Sequence, residues 1–322
     1  MNTKILITGG SGFIGTNMVG HFSQKGFDVL NIDWEAPKNK EHNRFWSNVD
    51  ILDADKLKKT IADFSPEYVV HLAARTDLDG KTLADYAANT TGVKNMVKAL
   101  SCTPSIKRVV FASTQLVCAR RNPVDNNDYE TINLYGESKK IGEQFLRSCK
   151  DLPFEYTIVR PTSIWGPWFG APYNNFFKMV LAKRFFNMGE KVATKTFGFV
   201  GNLVYQVETL LFKPSWEGIR ENVFYLGDQP ASPINEWAVE IGSECGIRIK
   251  TIPFFVFQTA AWVGDIFKLF GIHFPMTSYR LTNMTTSFEN DLSAIYSVAP
   301  APPYTRLQGT KITLEWIKNH PL

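Results

Sequence analysis

Cysteine is scarce in this sequence, and no pattern of metal ligands accompanies it. The four cysteines stand at positions 102, 118, 149 and 245, without the spacing of a zinc site or of a disulfide framework. We therefore expect reduced thiols, no bound metal and a cytoplasmic protein. The first residues, Met-Asn-Thr-Lys, lead directly into an apolar run, so we expect no signal peptide.

Concentrated charge of one sign is also missing. The net charge is only +4 over 322 residues, and the nearest approach to a basic cluster, at 56–59, has aspartates beside it at positions 53 and 55. A nucleic-acid-binding surface needs a basic patch or stripe, so a nucleic-acid partner is not expected.

No uninterrupted apolar run is long enough to span a bilayer. The most apolar stretch, residues 252–274, is broken by Asp265 and Lys268. Its pattern predicts a buried or amphipathic helix. The composition favours core packing for its aromatic residues, and the alternatives are that they line an apolar pocket or lie against a membrane surface.

What the sequence does contain is an alternation of short apolar runs and amphipathic segments. Continuous apolar strands separated by helices are typical of a parallel sheet that is covered on both faces. The sequence therefore predicts an α/β fold with a doubly wound, Rossmann-type parallel sheet. The predicted strands are residues 3–8, 27–33, 67–74, 107–113 and 154–160, and the predicted helices are residues 12–25, 53–64, 82–101 and 133–150.

The alternation ends after Arg160, where residues 161–175 carry three prolines. The later predicted elements are isolated: a strand at 222–228 and helices at 233–245 and 310–319. We predict a nucleotide-binding lobe over residues 1–165, to which some later segments return, and a smaller, irregular substrate lobe over residues 166–322.

Three glycines, Gly9, Gly12 and Gly15, stand three residues apart directly after the first predicted strand. In a strand–turn–helix unit, the first glycine permits a tight turn and the second lets the backbone approach a pyrophosphate. The third lets helix and strand pack closely. Free N–H groups at the start of the helix then face the phosphates, so the pattern predicts a dinucleotide site.

Asp33 ends the second predicted strand, eighteen residues after Gly15. A carboxylate at this place can accept hydrogen bonds from ribose hydroxyls and would repel a 2′-phosphate. The next residues, Trp34, Glu35 and Ala36, offer no arginine to such a phosphate. The sequence therefore predicts NAD rather than NADP as the cofactor.

Tyr135 and Lys139 are four residues apart in the predicted helix 133–150, so they share one helical face. An ammonium group beside a phenol is expected to lower the phenol's pKa. The tyrosine could then exchange a proton with a carbinol oxygen while hydride moves on carbon. The fourth strand ends in Phe-Ala-Ser-Thr-Gln, which places hydroxyls at the edge of the sheet where ligands bind.

Taken together, these motifs resemble the extended short-chain dehydrogenases/reductases of the NAD-dependent epimerase/dehydratase group. TGGSGFIG at 8–15 matches the family's TGxxGxxG, and YGESK at 135–139 matches its YxxxK. Further family segments are matched by VDIL at 49–52, VVHLAA at 69–74 and NTTGVKNM at 89–96, and RPTSIWGPW at 160–168 is similar to another. The resemblance covers nearly the whole chain.

The resemblance implies a role for each matching residue. Tyr135 would be the acid/base, Lys139 its activator, and Thr114, rather than its neighbour Ser113, would bind the reacting oxygen. The positions implied for NAD binding are Gly9, Gly12, Phe13, Ile14, Gly15, Asp33, Asp50, Ile51, Leu72, Ala73, Ala74, Asn89, Tyr135 and Lys139.

The substrate residues are implied by weaker matches. Besides Thr114 they include Gln115, which follows it, and Asn175, in a segment that resembles the Asn-Asn-Leu of UDP-hexose 4-epimerases. Lys195 stands where a phosphate-binding arginine is common, and a lysine can still serve a phosphate as a point charge. Arg280 is a second basic candidate.

Four further positions depart from the family pattern. Gln115 and Leu116 follow Thr114 where dehydratases usually carry Asp-Glu, so dehydration of the substrate is disfavoured. Cys118 occupies a place where tyrosine is frequent, and Asn202 a place where aspartate is common.

The leading functional hypothesis is a nucleotide-sugar epimerase with transient hydride removal from a ring carbon, commonly C4. The alternative is a dehydrogenase or reductase acting on a sugar nucleotide or on an apolar, sterol-like molecule. A third class, a non-catalytic NAD-binding protein, is disfavoured by the intact Thr114, Tyr135 and Lys139. The resemblance also implies a homodimer that pairs through residues 82–101 and 133–150.

Overall fold

The computed structural model describes residues 2–118, 126, 128–189, 191, 193–213, 223–272, 274 and 276–322. Its strands are β1 (Lys4–Thr8), β2 (Asp28–Asp33), β3 (Trp46–Asn48), β4 (Tyr68–His71), β5 (Arg108–Ala112), β6 (Glu155–Pro161), β7 (Ser163–Trp165), β8 (Phe186–Asn187), β9 (Thr194–Lys195), β10 (Phe197–Phe199), β11 (Val223–Leu226), β12 (Ser232–Pro233) and β13 (Lys250–Thr251). Its helices are α1 (Phe13–Gln24), α2 (Ala54–Phe64), α3 (Ala87–Ser101), α4 (Leu134–Ser148), α5 (Asn175–Leu181), α6 (Val200–Phe212), α7 (Ile234–Glu244), α8 (Phe254–Leu269), α9 (Ser278–Thr285), α10 (Ser293–Val298) and α11 (Arg306–Asn319).

A seven-stranded sheet in the order β11-β6-β5-β4-β1-β2-β3 forms the centre of the molecule. Every pairing between its neighbouring strands is parallel. The order reverses at β1, and β1 and β4 lie side by side where the chain switches direction across the sheet. Ligands bind at such a switch point, outside the carboxyl ends of the strands. The predicted doubly wound sheet is confirmed.

Alternating side chains of the strands supply two separate hydrophobic layers, one on each face of the sheet. Ile5 and Ile7 of β1 belong to the layer that includes α1 and α6, whereas Leu6 belongs to the layer that includes α2 and α3. All three side chains are fully buried. Because both faces are covered, the strands are apolar throughout, as the sequence pattern indicated.

Most predicted elements of the first half are found, with their ends shifted by one to three residues. Helix α2 begins after Asp53, whose side chain accepts a hydrogen bond from the Lys56 backbone N–H at 3.1 Å, as expected of an N-cap. The predicted helix 82–101 opens with a 3₁₀ turn before α3 begins. The short strand β3 was not predicted, because its three residues are too few to show a period.

Two later segments pack with elements of the first 165 residues. Strand β11 pairs with β6 at the edge of the central sheet, and α6 packs against α1. Among the described residues, the remainder of the second half forms three two-stranded sheets and the surrounding helices. The boundary at residue 165 stays a prediction.

Helix α8 corresponds to the most apolar stretch of the sequence, and the expectation of core packing is wrong for three of its aromatic residues, Phe255, Trp262 and Phe267. Only Ala261 and Gly264 of this helix are buried. Phe255 and Trp262 expose 65% and 67% of their surface. The helix packs against α9 through Ala261, with Phe254 and Phe257 partly buried beside it, whereas Phe255, Trp262 and Leu269 are exposed. Among the described residues, no helix is long and apolar enough to cross a membrane.

Candidate active site

The glycine turn after β1 is shaped by contacts that only glycine tolerates. Gly9 adopts φ +71°, and a Cβ on it would lie 2.7 Å from the backbone nitrogen of Ala73. A Cβ on Gly15 would lie 2.1 Å from the carbonyl oxygen of Gly9. The close approach at Gly9 allows the turn to lie against the end of β4. The close approach at Gly15 allows α1 to lie against the turn.

The N-terminus of α1 opens into a cleft without a capping side chain. Its N-cap residue is Gly12, no side chain accepts from its first turn, and that turn contains no acidic residue. The backbone N–H groups at such a helix start attract an anion. The local structure therefore suits a phosphate group.

Asp33 lies at the carboxyl end of β2, beside this turn. One carboxylate oxygen accepts a hydrogen bond from the Ser11 backbone N–H at 3.0 Å, and the other accepts from the Glu35 backbone N–H at 3.1 Å. Burial raises the pKa of Asp33 above its ordinary value, and the two backbone donors oppose that rise. These contacts hold the carboxylate in a fixed orientation at the rim of the cleft.

The cleft has a volume of about 760 Å³, within the range of small-molecule and cofactor sites. It runs from Asp33 across the glycine turn to the end of β5. The predicted residues that line it are Gly9, Gly12, Phe13, Ile14, Gly15, Asp33, Asp50, Ile51, Leu72, Ala73, Ala74, Thr114, Tyr135 and Lys139. An open helix start, a fixed carboxylate and a wide cleft joining them suit the phosphates and a ribose of NAD, so the residues present fit this cofactor.

The proton-transfer candidates meet at the other end of the same cleft. Thr114 and Tyr135 both line the cleft at this end. Lys139 is buried, and its Nζ donates to the carbonyl oxygen of Ala112 at 2.9 Å. Burial lowers the pKa of the Lys139 ammonium to about 8. The carboxyl end of β5 and one face of α4 thus place these three side chains together.

The expectation that Lys139 lowers the pKa of Tyr135 does not hold in this structure. Burial raises the pKa of Tyr135, and the neighbouring Tyr173 adds to the rise. The side chain of Thr114 is the lowering influence. The physical reason is that both Tyr135 and Lys139 have lost water, which disfavours the phenolate and the ammonium alike.

A buried ion pair anchors α4 behind these residues. Glu143, one turn after Lys139, accepts two hydrogen bonds from Arg160 of β6 at 3.0 and 2.8 Å. The two side chains are 2% and 0% exposed. Arg160 also donates to the Tyr225 hydroxyl at 3.1 Å, and Tyr129 donates to Glu143 at 2.9 Å. This network ties the helix that carries Tyr135 to the sheet.

Asn89 does not line the cleft. Its amide accepts a hydrogen bond from the Arg75 backbone N–H at 2.9 Å and donates to the Arg75 carbonyl and to Ser138 Oγ. The side chain therefore holds the loop after β4 against α4. Its predicted contact with the cofactor stays a prediction.

The four remaining substrate candidates lie outside the cleft. Gln115 bridges Ser163 and Asn290, accepting from the latter at 2.9 Å. Asn175 is exposed at the start of α5, and Arg280 is exposed on α9. Lys195 donates to the Asn283 carbonyl at 3.0 Å. Their contact with a substrate stays a prediction.

Several residues outside the predicted binding set also line the cleft, among them Trp34, Ser113 and Tyr173. Trp34, 69% exposed, follows Asp33 at the rim, and its place next to that residue was the available signal. Ser113 lines the cleft, and its Oγ has no hydrogen-bond partner among the described residues. Tyr173 also lines it, with its ring 6.3 Å from the ring of Phe13. No pattern in the sequence showed that the proline-rich segment folds back over the site.

The four cysteines are free thiols. Over the described part of the chain, no cluster of three or more histidine, cysteine, aspartate or glutamate side chains could hold a metal ion.

Comparisons with known proteins agree with this geometry. The chain is 26% identical, over 98% of its length and 96% of the relative's, to the N-acetyl-alpha-D-glucosaminyl-diphospho-ditrans,octacis-undecaprenol 4-epimerase of Escherichia coli O157:H7. It is 27% identical to the 3-beta-hydroxysteroid dehydrogenase of Mycolicibacterium neoaurum, over 77% of this chain and 72% of that protein.

A solved structure shares the whole fold. The UDP-glucuronic acid 4-epimerase of Bacillus cereus, in complex with UDP-glucuronic acid and NAD, superimposes with a TM-score of 0.75 at 18% identity, over 99% of this chain and 100% of that one. The family model described as NAD dependent epimerase/dehydratase family matches residues 5–204, more than half of the chain. The protein therefore belongs to the NAD-dependent epimerase/dehydratase family.

Proposed function

We propose that this protein is an NAD-dependent epimerase that inverts a ring carbon, commonly C4, of a nucleotide sugar. The observation that carries the proposal is that Thr114, Tyr135 and Lys139 line the same cleft as the glycine turn and Asp33. One continuous space therefore offers a cofactor site and a proton-transfer group. Membership in an NAD-dependent family supports the assignment.

The cofactor would be held by parts of the cleft that differ in chemistry. The start of α1, with Gly12 and Phe13, would receive the phosphates. Asp33 would accept hydrogen bonds from the adenosine ribose hydroxyls, and Asp50 and Ile51 would border the adenine. NAD bound there would take a hydride from the sugar carbon and return it to the opposite face.

Tyr135 would accept the proton of the sugar hydroxyl as the ring carbon is oxidised, and would give it back on reduction. Thr114 would hydrogen-bond the same oxygen. Because burial raises the pKa of Tyr135, its phenolate needs positive charge nearby. The Lys139 ammonium and the oxidised nicotinamide ring are the two sources of that charge.

Elimination of water is disfavoured because Gln115 and Leu116 supply no carboxyl group after Thr114. The amide of Gln115 is also engaged with Ser163 and Asn290. Inversion requires only that the oxidised sugar turn over before hydride and proton return, and the residues of the cleft suffice for that chemistry.

Mass spectrometry of small molecules that co-purify with the native protein tests the proposal first. A panel of UDP-, GDP-, CDP- and dTDP-sugars, with one polyprenyl-diphosphate-linked sugar, then follows, since the Escherichia coli relative is named for such a lipid-linked substrate. We expect retained NAD and a redox-neutral change in one sugar. A protein that retains no nicotinamide nucleotide and gains no activity with added NAD would contradict the proposal.

A dehydrogenase of an apolar alcohol or ketone is the second candidate, favoured by the similarity to the 3-beta-hydroxysteroid dehydrogenase. The two functions differ in their cofactor balance. Stoichiometric formation or consumption of NADH with the substrate would identify a dehydrogenase, whereas an epimerase leaves the cofactor unchanged overall.

The proposed assembly is a homodimer that pairs through α3 and α4. These helices pack side by side on one face of the sheet, and Asn89 of α3 donates to Ser138 of α4 at 2.9 Å. The free thiols suit a reducing compartment, so we place the protein in the cytoplasm. Light scattering of the purified protein tests the dimer, and cell fractionation tests the location.

A further inference from the structure

Helix α8 carries an apolar face that points away from the protein. Phe255, Trp262 and Leu269 are seven residues apart, so they lie along one side of the helix. They expose 65%, 67% and 83% of their surface. Phe270, next in the chain, is 75% exposed. We call these four residues the α8 apolar face.

The opposite side of α8 explains this orientation. Ala261 is buried in a small cluster with Leu281 of α9 and Met188, and a Cβ on Gly264 would lie 1.7 Å from the carbonyl oxygen of Met276. The helix therefore rests on the protein through Ala261 and Gly264, with Phe254 and Phe257 partly buried against the same cluster. The large apolar residues continue into the following loop, where Ile272 is 53% exposed.

Basic residues surround this helix. Segment 246–286 contains one acidic residue and four basic residues, namely Arg248, Lys250, Lys268 and Arg280. Its formal charge is therefore +3, whereas the formal charge of the whole chain is +4. The one acidic side chain, Asp265, accepts a hydrogen bond from the Ser278 backbone N–H at 3.1 Å.

More basic residues lie near the start of α8. Lys191 Nζ lies 5.8 Å from the centre of the Phe254 ring. Strand β13, with Lys250, pairs with β8, which follows Lys183 and Arg184 in the chain. An exposed apolar helix face with flanking cations is the composition of helices that lie in the interface of an anionic bilayer.

The position of the face separates it from the other surfaces of the molecule. None of its residues lines the candidate active site. The proposed dimer uses α3 and α4, whereas α8 packs on α9. A helix side with several large, strongly exposed apolar residues marks a candidate interaction site.

We propose that the α8 apolar face docks this protein on the surface of a membrane that contains anionic lipids. Trp262 and the two phenylalanines would enter the boundary between head groups and acyl chains, and the basic residues at both ends of α8 would contact lipid phosphates. The helix would lie in the plane of the bilayer surface. The proposal is independent of the reaction that the cleft performs.

Sedimentation of the full-length protein with vesicles tests this docking. Vesicles of phosphatidylcholine alone are compared with vesicles that also contain about one third phosphatidylglycerol. We expect binding to the anionic vesicles, several-fold weaker binding at about 0.5 M salt, and loss on the order of tenfold in Trp262→Ser/Leu269→Ser. Circular dichroism checks that this variant folds.

A matched pair of valines tests whether the position matters. Val256 on α8 and Val239 on α7 are 41% and 44% exposed. Val256→Asp should weaken vesicle binding, whereas Val239→Asp should leave it unchanged. Equal binding by the double serine variant and the unaltered protein would overturn the proposal, as would the absence of vesicle binding.

A dimer that dissociates in the double serine variant, measured by light scattering, would also overturn it, since the face would then join two copies of the chain. Vesicle binding by a protein that turns over no sugar would leave the docking intact and reject the proposed function.

Discussion

The carboxylate of Asp33 accepts a hydrogen bond from the backbone N–H of Ser11 at 3.0 Å. This contact joins the end of the second strand to the glycine turn that follows the first, across twenty-two residues of chain. Asn31 reinforces it by donating to Ser11 Oγ at 3.1 Å. The residue proposed to bind the ribose therefore also shapes the loop proposed to bind the phosphates.

Replacement of Asp33 by asparagine should weaken NAD binding about tenfold or more, because a hydrogen bond to a charged group contributes about 1.5–3 kcal/mol. The preference for NAD over NADP should narrow, since the negative charge that repels a 2′-phosphate is gone. Equilibrium titration with both cofactors measures the change.

Asp28→Asn is the matched control, because this exposed aspartate begins the same strand at the far end from the cleft. Unchanged cofactor discrimination in Asp33→Asn would remove the ribose role from this residue.

Replacement of each of two glycines of α1 by alanine should change the stability of the protein in opposite directions. Gly15→Ala should cost about 3 kcal/mol or more of unfolding free energy and abolish NAD binding, because the new Cβ would overlap the Gly9 carbonyl oxygen. Gly20→Ala should stabilise the protein by about 0.5–1 kcal/mol, since the nearest atoms, on His42, lie 3.7 Å away. Urea unfolding compares the two, and similar effects at both positions would contradict the packing described for Gly15.

Tyr135→Phe should lower kcat by about 10²–10⁴ while leaving the fold and NAD binding in place, because it removes only the proton-transfer group. Tyr156→Phe is the control. Tyr156 is also buried, and its hydroxyl donates to the Leu146 carbonyl at 3.0 Å, away from the cleft. This control should lose about 1 kcal/mol of stability and keep its kcat. Full turnover in Tyr135→Phe would exclude this tyrosine as the acid/base.

His71 should make the protein sensitive to mild acid. Burial and the nearby Lys139 charge lower the pKa of His71 to about 3, from an ordinary value of 6.5. The unfolded chain therefore binds a proton below pH 6.5 that the folded chain refuses. The contribution of the neutral His71 to stability is complete above pH 6.5 and is lost as the pH falls toward 3. The free energy of unfolding should therefore be lower by about 2 kcal/mol at pH 5.

The free energy of unfolding, measured at pH 7.5 and at pH 5, should fall less in His71→Gln than in the unaltered protein. Replacing the exposed His320 by glutamine should leave this fall in unfolding free energy the same as in the unaltered protein. An equal loss in all three proteins would show that other groups govern the acid sensitivity.

Glu143→Gln should destabilise the protein by about 3–5 kcal/mol, because it leaves the charge of Arg160 buried without its partner. The half-exposed pair of Arg108 and Glu155 provides the contrast, and Glu155→Gln should cost less than about 1 kcal/mol. Thermal unfolding measures both. A small effect at Glu143 would show that water or a rearranged side chain compensates the lost charge.

The sequence was informative wherever the determining contacts are local. Strands that are apolar on both faces and the glycine turn depend on residues within a few positions of one another, and each was found where it was predicted. Lys139 was correctly grouped with Tyr135, because helical spacing alone puts both on one face. Other cofactor positions, such as Asp50, Ile51 and Leu72, were implied by the resemblance to the family, and they line the cleft.

The sequence was uninformative where distant segments meet. Tyr173 reaches the cleft only because a proline-rich loop folds back, and Gln115 is engaged because Asn290 approaches from the far end of the chain. The pKa of Tyr135 rises because several elements together exclude water, an effect that no spacing reveals. Composition likewise placed the aromatic residues of α8 in the core, although Phe255, Trp262 and Phe267 are exposed.

The sequence by itself therefore determined the sheet, the dinucleotide turn, the choice of NAD and the pairing of Tyr135 with Lys139. These depend on short-range periodicity and on backbone conformations that few residues allow. The tertiary structure alone decided which predicted residues share the cleft, how burial shifts their charges and which face of α8 remains outside. Those properties depend on the packing of residues far apart in the chain and on the water that this packing excludes.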